Sequence, residues 1–66
     1  MQISVVIPLF NESASLPELM QWIHRVMQTN NFSYEVIMVD DGSDDESWAV
    51  IEKLRTEYTD LKGIRF

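Results

Sequence analysis

With 66 residues the chain can hold one small domain at most, because folded chains of about 60 residues bury only roughly 60% of the surface their unfolded form exposes. A hydrophobic fraction of 45% that includes two Trp, two Tyr and three Phe excludes an intrinsically disordered polymer. A formal net charge of −6 excludes a general nucleic-acid binder, which needs a Lys/Arg surface to displace phosphate counterions, and the absence of cysteine excludes a disulfide framework and a thiolate metal site.

From Ile3 to Leu9 the residues are almost continuously apolar and partly β-branched, which reads as a strand covered on both faces, as in a parallel sheet. Pro8 and Asn11 mark the chain turning out of that sheet. Ser15 and Glu18 then stand at capping-box spacing, with Pro17 in the first turn where its missing N–H costs no intrahelical bond. Leu16, Leu19, Met20, Ile23, Val26 and Met27 form one apolar stripe at helical spacing, a core face rather than a cofactor box, while Glu18, Gln21, Arg25 and Gln28 point away. His24 lies on the polar side and reads as a surface residue; Trp22 and Trp48 read as packing residues.

Thr29, Asn30 and Asn31 end the helix, and Tyr34 to Val39 is again strand-like. The run Asp40-Asp41-Gly42-Ser43-Asp44-Asp45 follows, and Ser43 with Glu46 repeats the capping-box spacing. Val50, Ile51, Leu54, Tyr58 and Leu61 predict the buried face of a second helix, and Gly63 opens a third extended piece, Ile64-Arg65-Phe66. Strand, helix, strand, helix, start of strand is the pattern of an α/β fold with a parallel sheet and right-handed crossovers. No apolar run approaches the ~20 residues that span a bilayer, and no basic leader or small-residue cleavage site precedes the first strand, so the segment is expected not to insert into a membrane.

Two polar clusters, Phe10-Asn11-Glu12 and Asp40 to Asp45, each directly follow a strand. In a parallel arrangement both occupy the carboxyl edge of the sheet, where open α/β sheets bind ligands. A carboxylate there can accept the imide N–H of a base or the hydroxyls of a ribose, and the Phe10 ring can cover a base. Glu12 also reads as an ordinary loop charge, and Asp44, Asp45 and Glu46 read first as acids favoured at a helix N-terminus. Asp40 and Asp41 favour a functional reading: adjacent carboxylates at a strand end repel, and Gly42 points to a backbone conformation or close approach that other residues would obstruct. No Gly-rich phosphate loop of the dinucleotide or Walker type is present.

The run Val5-Val6-Ile7-Pro8-Leu9-Phe10-Asn11-Glu12, followed after a helix by Val39-Asp40-Asp41-Gly42-Ser43-Asp44-Asp45, resembles the opening of family 2 glycosyltransferases of the GT-A fold. Within that family it is most similar to the polyprenyl-phosphate sugar transferases of the dolichol-phosphate-mannose-synthase type. The resemblance spans essentially the whole chain. It implies that residues 1–66 are the N-terminal nucleotide-recognition part of an incomplete domain, a Rossmann-like sheet truncated at its third strand. It further implies that Pro8, Phe10 and Glu12 line the nucleotide pocket, that Asp41 contacts the base and that Asp40 supports the loop, with Asn11, Gly42 and Ser43 in the same nucleotide-binding set. Phe10 stands where a tyrosine is often found, which keeps the ring and loses a hydroxyl.

The family's metal-binding Asp-x-Asp signature and its catalytic base lie after later strands. The resemblance therefore implies no catalytic residue and no metal ligand in this chain, and Mg²⁺ or Mn²⁺ belongs to longer relatives, acting as Lewis acid on the diphosphate leaving group. The implied reaction is transfer of a sugar from a UDP- or GDP-linked donor to a lipid-linked or other membrane-surface acceptor. The chain alone is expected to be inactive, in a cytoplasmic setting with a membrane-associated parent. The alternatives are a non-catalytic nucleotide- or cation-binding α/β module and a bare structural fragment. In the family's fold a later strand flanks the first one, so its free edge is expected to be exposed here and to favour a homo-oligomer.

Overall fold

A computed structural model describes residues 2–66. Its elements are strand β1 (Gln2–Leu9), helix α1 (Leu16–Thr29), strand β2 (Ser33–Asp40), helix α2 (Ser47–Glu57) and strand β3 (Leu61–Arg65), the α/β order that the hydrophobic periodicities predict. The strands pair in parallel in the order β1-β2-β3, with Val5 opposite Val36, Leu9 opposite Asp40 and Asp40 opposite Arg65. Two crossovers step the same way along the sheet and carry both helices to one of its faces, the arrangement that crossovers of a single hand produce. There α1 packs against α2, and α2 lies on β2 and β3.

The core is the layer between. Leu16, Met20 and Ile23 from α1 and Ile51 and Leu54 from α2 meet Tyr34, Val36 and Met38 of the central strand. The polar residues of α1 (Glu18, Gln21, Arg25 and Gln28) are exposed, as its period requires. Helix α1 stops because Asn31 adopts a left-handed φ of 55°, which lets the Phe32 N–H reach back to the Met27 carbonyl at 2.9 Å and satisfy a terminal acceptor.

Several local expectations give way to this packing. The first strand is covered on one face only: Ile3, Val5 and Ile7 pack against the core, whereas Val6 is 60% exposed, because both helices occupy the same side. Ser15 is the N-cap of α1 but makes no side-chain capping bond, since its backbone is helical (φ −93°, ψ −14°) and a cap requires the extended region. The second helix starts at Ser47 with Glu46 as N-cap, and Ser43 is spent elsewhere, as described below. Leu61 belongs to β3 rather than to the helical stripe: Tyr58 turns extended (φ −122°, ψ 106°), and the Val36 N–H bonds the Asp60 carbonyl at 2.9 Å. The third strand thus opens before Gly63.

Two side chains are also relocated. His24 is half-buried; its Nδ1 and the Tyr34 hydroxyl share a 2.7 Å hydrogen bond, and its ring meets that of Tyr58 edge-on at 5.2 Å. Burial, then the Asp60 charge and Tyr58, raise the Tyr34 pKa above its ordinary value. Trp22 is 60% exposed and packs little, while Trp48 does pack on the core and stacks under the Arg65 guanidinium at 5.7 Å.

The face away from the helices is open. Register places Val6 beside Ile37 and Pro8 beside Val39, with Ile64 next to Val39, so a band of apolar side chains crosses all three strands. Nearer the other end Ser4 Oγ donates to Glu35 at 2.8 Å, and Lys62 Nζ bonds the same carboxylate at 3.1 Å. The Ser4 hydroxyl first, and then Lys62, hold the Glu35 carboxyl below its usual range.

Helix α2 approaches β3 so closely at Gly63 that an added Cβ would lie 2.8 Å from Ile51 Cγ2 and 3.3 Å from the Trp48 ring. Gly63→Ala is therefore expected to destabilise the fold by roughly 1–3 kcal/mol through overpacking, read as a lower urea midpoint with an unchanged slope.

Candidate functional site

Because β1 and β2 are parallel and end together at Leu9 and Asp40, the two polar clusters leave the sheet at one edge. The Asp41 N–H donates to the Leu9 carbonyl at 3.0 Å, which joins the loops at their roots. Beyond that point further hydrogen bonds cross between the two loops. The Asn11 N–H donates to Ser43 Oγ at 2.9 Å, and the Glu12 N–H donates to Ser47 Oγ at 2.9 Å. In the reverse direction Asn11 Oδ1 accepts the N–H groups of Asp44 at 3.0 Å and Asp45 at 3.3 Å. Asn11 itself has a left-handed φ of 52°, a conformation that Asn tolerates better than most residues.

The paired carboxylates part at the end of β2, whose last residue is Asp40. Asp40 turns inward and is 0% exposed. Its Oδ1 accepts the Ser43 N–H at 2.8 Å, and its Oδ2 is buried with no protein partner. Asp41, one residue on, is exposed. Gly42 has φ +77° and open space around its Cα, so backbone conformation, not crowding, calls for glycine there. Phe10 (55% exposed) and Glu12 stand on the facing loop.

Of the eight residues picked out by sequence, Pro8, Phe10 and Glu12 line a groove of about 320 Å³ beside β1, floored by Leu16 and Leu19. Asn11, Asp40 and Ser43 are committed to loop–loop or loop–strand bonds, and Asp41 and Gly42 form the exposed tip of the second loop. A larger depression of about 450 Å³ runs along α1 between Glu18, Trp22 and Arg25 and adjoins the first at Ser15 and Leu19. Convergence of backbone and carboxylates favours the sheet edge as the site. Among the described residues no group of three or more His, Asp or Glu side chains is gathered as a cation would require.

Ser47 and Asp45 complete the site and were not singled out by sequence as loop partners. Ser47 is fully buried, and its N–H donates to Asp45 Oδ1 at 2.8 Å. Asp45 thereby caps the start of α2 as an acid favoured there, and its Oδ2 also accepts the Ser13 N–H at 3.5 Å. The Ser47 hydroxyl first, and then the Ser47 and Ser13 backbone N–H groups, hold the Asp45 carboxyl below its usual range. The available signal was a small hydroxyl residue directly after an acidic run, at the point where a helix begins.

The family model described as glycosyl transferase family 2 matches residues 4–66. The chain is 40% identical over 65 residues to a dolichol-phosphate mannosyltransferase of Pyrococcus furiosus, covering 98% of this chain and 18% of that protein. Undecaprenyl-phosphate 4-deoxy-4-formamido-L-arabinose transferases are similar as well. That of Sodalis glossinidius is 46% identical over 50 residues, covering 76% of this chain and 15% of its own length. That of Klebsiella pneumoniae (strain ATCC 700721 / MGH 78578) is 39% identical over 62 residues, covering 94% and 18%. The chain thus spans less than a fifth of the length of these relatives.

Ser47→Ala removes the acceptor of the Glu12 N–H and the hydroxyl that stabilises the Asp45 carboxylate. It is expected to cost about 1 kcal/mol in urea unfolding and to raise the Asp45 pKa toward its ordinary value in a carboxyl NMR titration. Because the folded-state pKa of Asp45 is depressed, its contribution is complete above the ordinary carboxylate pKa and is lost as pH falls through the lower folded value. In the variant the contribution is smaller, and its loss, which begins at the same unfolded-state pKa, is complete at a higher pH.

Proposed function

This chain belongs to glycosyl transferase family 2, and from that membership we propose that residues 1–66 form the nucleotide-recognition part of a domain transferring a sugar from a nucleotide-sugar donor to a lipid-linked acceptor. The observation that carries this reading is the meeting of Phe10-Asn11-Glu12 and Asp40 to Ser43 at one carboxyl edge, bonded into a single body. Such an edge is where open α/β sheets receive nucleotides.

The exposed groups divide the work by their chemistry. The Phe10 ring covers one face of the base. The Asp41 carboxylate, an acceptor only, takes the imide N–H of a uracil or the N1–H of a guanine, and Glu12 takes ribose hydroxyls. Pro8 and Gly42 shape the walls, while Asp40 and Ser43 hold the loops. The polyprenyl-phosphate acceptors named for the similar proteins support an acceptor of that class and a parent protein working at the cytoplasmic surface of a membrane. No described helix is long and apolar enough to cross one. The Mg²⁺ or Mn²⁺ of such a transfer is assigned to residues outside this segment, because the described residues gather no set of side chains that fits a cation.

As partners we propose the donor nucleotide and a second copy of the chain. Among the described residues no strand lies beside the outer edge of β1, and Ile3 to Ile7 carries neither charge nor proline, so two copies can join these edges without repulsion and without the protection that natural edge strands carry.

The 66-residue chain is expected to transfer no sugar from any nucleotide donor. In an amide-shift titration with UDP or GDP in the presence of Mg²⁺ it should bind with a millimolar or weaker Kd, because one wall leaves the ligand largely exposed. Shifts should centre on Phe10 to Glu12 and Asp40 to Ser43 and vanish in Asp41→Ala; shifts elsewhere, or unaffected by that substitution, refute the assignment.

Val6→Lys places a charge on the exposed side of the free edge, and sedimentation should show it weakening self-association. A wild-type chain that stays monomeric from micromolar to millimolar concentration refutes the pairing.

A further inference from the structure

We infer that Asn11 is a positioning residue: through Oδ1 it fixes the loop that presents Asp41, and it makes no contact with the nucleotide itself. This rests on the nucleotide reading above and goes beyond it by removing one candidate ligand contact and giving that residue a different task.

A side-chain amide oxygen has two lone pairs, and both are directed at backbone donors of the facing loop, Asp44 N–H at 3.0 Å and Asp45 N–H at 3.3 Å. The orientation of the amide is dictated by chemistry, since turning the NH₂ toward two N–H groups would set donor against donor. The same residue's backbone N–H holds Ser43 Oγ at 2.9 Å. Asn11 therefore grips the segment 43–45 at three points and spans the Asp41-Gly42 tip from its far side.

Charge explains why an amide suits this place. Glu12, Asp40, Asp41, Asp44, Asp45 and Glu46 crowd the two loops with carboxylates, and a neutral acceptor closes the latch without adding another. The left-handed φ of 52° narrows the choice further, to residues that tolerate that region. The tip is held at its roots by the Asp41 N–H on the Leu9 carbonyl and the Ser43 N–H on Asp40 Oδ1, with a permissive glycine between them at φ +77°, and the grip on 43–45 adds the hold from the facing loop that fixes the approach of the Asp41 carboxylate before any ligand arrives.

The test compares wild type, Asn11→Gly and Asn11→Asp. Glycine keeps the left-handed backbone and deletes the side chain; aspartate keeps the backbone tolerance and an acceptor oxygen but loses the NH₂ donor. The first readout is amide hydrogen exchange. Asn11→Gly should speed exchange at Asp44 and Asp45 by about tenfold or more, with Met20 and Ile51 unchanged as a check on the fold, and Asn11→Asp should restore protection to within about twofold. The second readout is amide-shift titration with uridine and guanosine, uncharged probes that a new carboxylate does not repel through phosphate. Affinity should fall several-fold in Asn11→Gly and return in Asn11→Asp.

Unchanged exchange in Asn11→Gly overturns the latch. Protected amides in Asn11→Asp together with binding as weak as in Asn11→Gly overturn the inference in the other direction, because the lost NH₂ would then be a ligand contact. If wild type binds neither nucleoside, the nucleotide reading fails by itself, and the inference that Asn11 positions a nucleotide-reading Asp41 falls with it, whatever the exchange result.

Discussion

Parallel pairing of β1 with β2, with Leu9 opposite Asp40, obliges both strands to release their chains at the same edge of the sheet. A slip of one residue would turn every side chain of β2 to the opposite face. Val36 and Met38, now fully buried, would leave the core, and Asp40 would leave its place under the second loop. The register is therefore held by apolar burial and spent on a polar arrangement: the same alternation that buries Val36 and Met38 turns Asp40 inward, and Asp41, just past the strand, is exposed. Two adjacent carboxylates that would repel side by side are thereby parted.

The edge that results is built largely from backbone donors and short polar side chains. Asn11, Ser43, Asp45 and Ser47 each accept an N–H from across the gap or from the start of α2. Paired in this way, loop backbone avoids the cost that buried, unsatisfied N–H groups would impose. Asp40 Oδ2 is the one buried side-chain oxygen among the described residues that the protein leaves without a partner. It lies in the residue that braces Ser43, directly beneath the proposed site.

Packing the helices on a single face has a second consequence. The central strand is buried through alternate residues, while Val6, Pro8 and Ile64 form part of an uncovered apolar band on the other side. Exposed bands of this kind mark surfaces that other protein covers, and the uncharged outer edge of β1 belongs to the same surface.

The sequence by itself determined the element order, the α/β class, the stripe of α1 and the two polar loops that follow the strands, because each is written in local periodicity or in motifs a few residues long. Leu16, Met20 and Ile23 could be named as core from their spacing, and Phe10-Asn11-Glu12 and Asp40 to Ser43 from their positions after strands. Tertiary structure decided what local rules could not see. Ser43 has capping-box spacing, yet its hydroxyl goes to Asn11, 32 residues away. His24 falls on the polar side of its helix, yet Tyr34 and Tyr58 draw it inward; Trp22 has the composition of a core residue and no neighbour to bury it. Leu61 continues a helical spacing, yet Val36 claims the carbonyl just before it for the sheet. In each case a long-range hydrogen bond or a packing face outweighed a local preference, since a polar or apolar group finds its partner only once the strands are aligned.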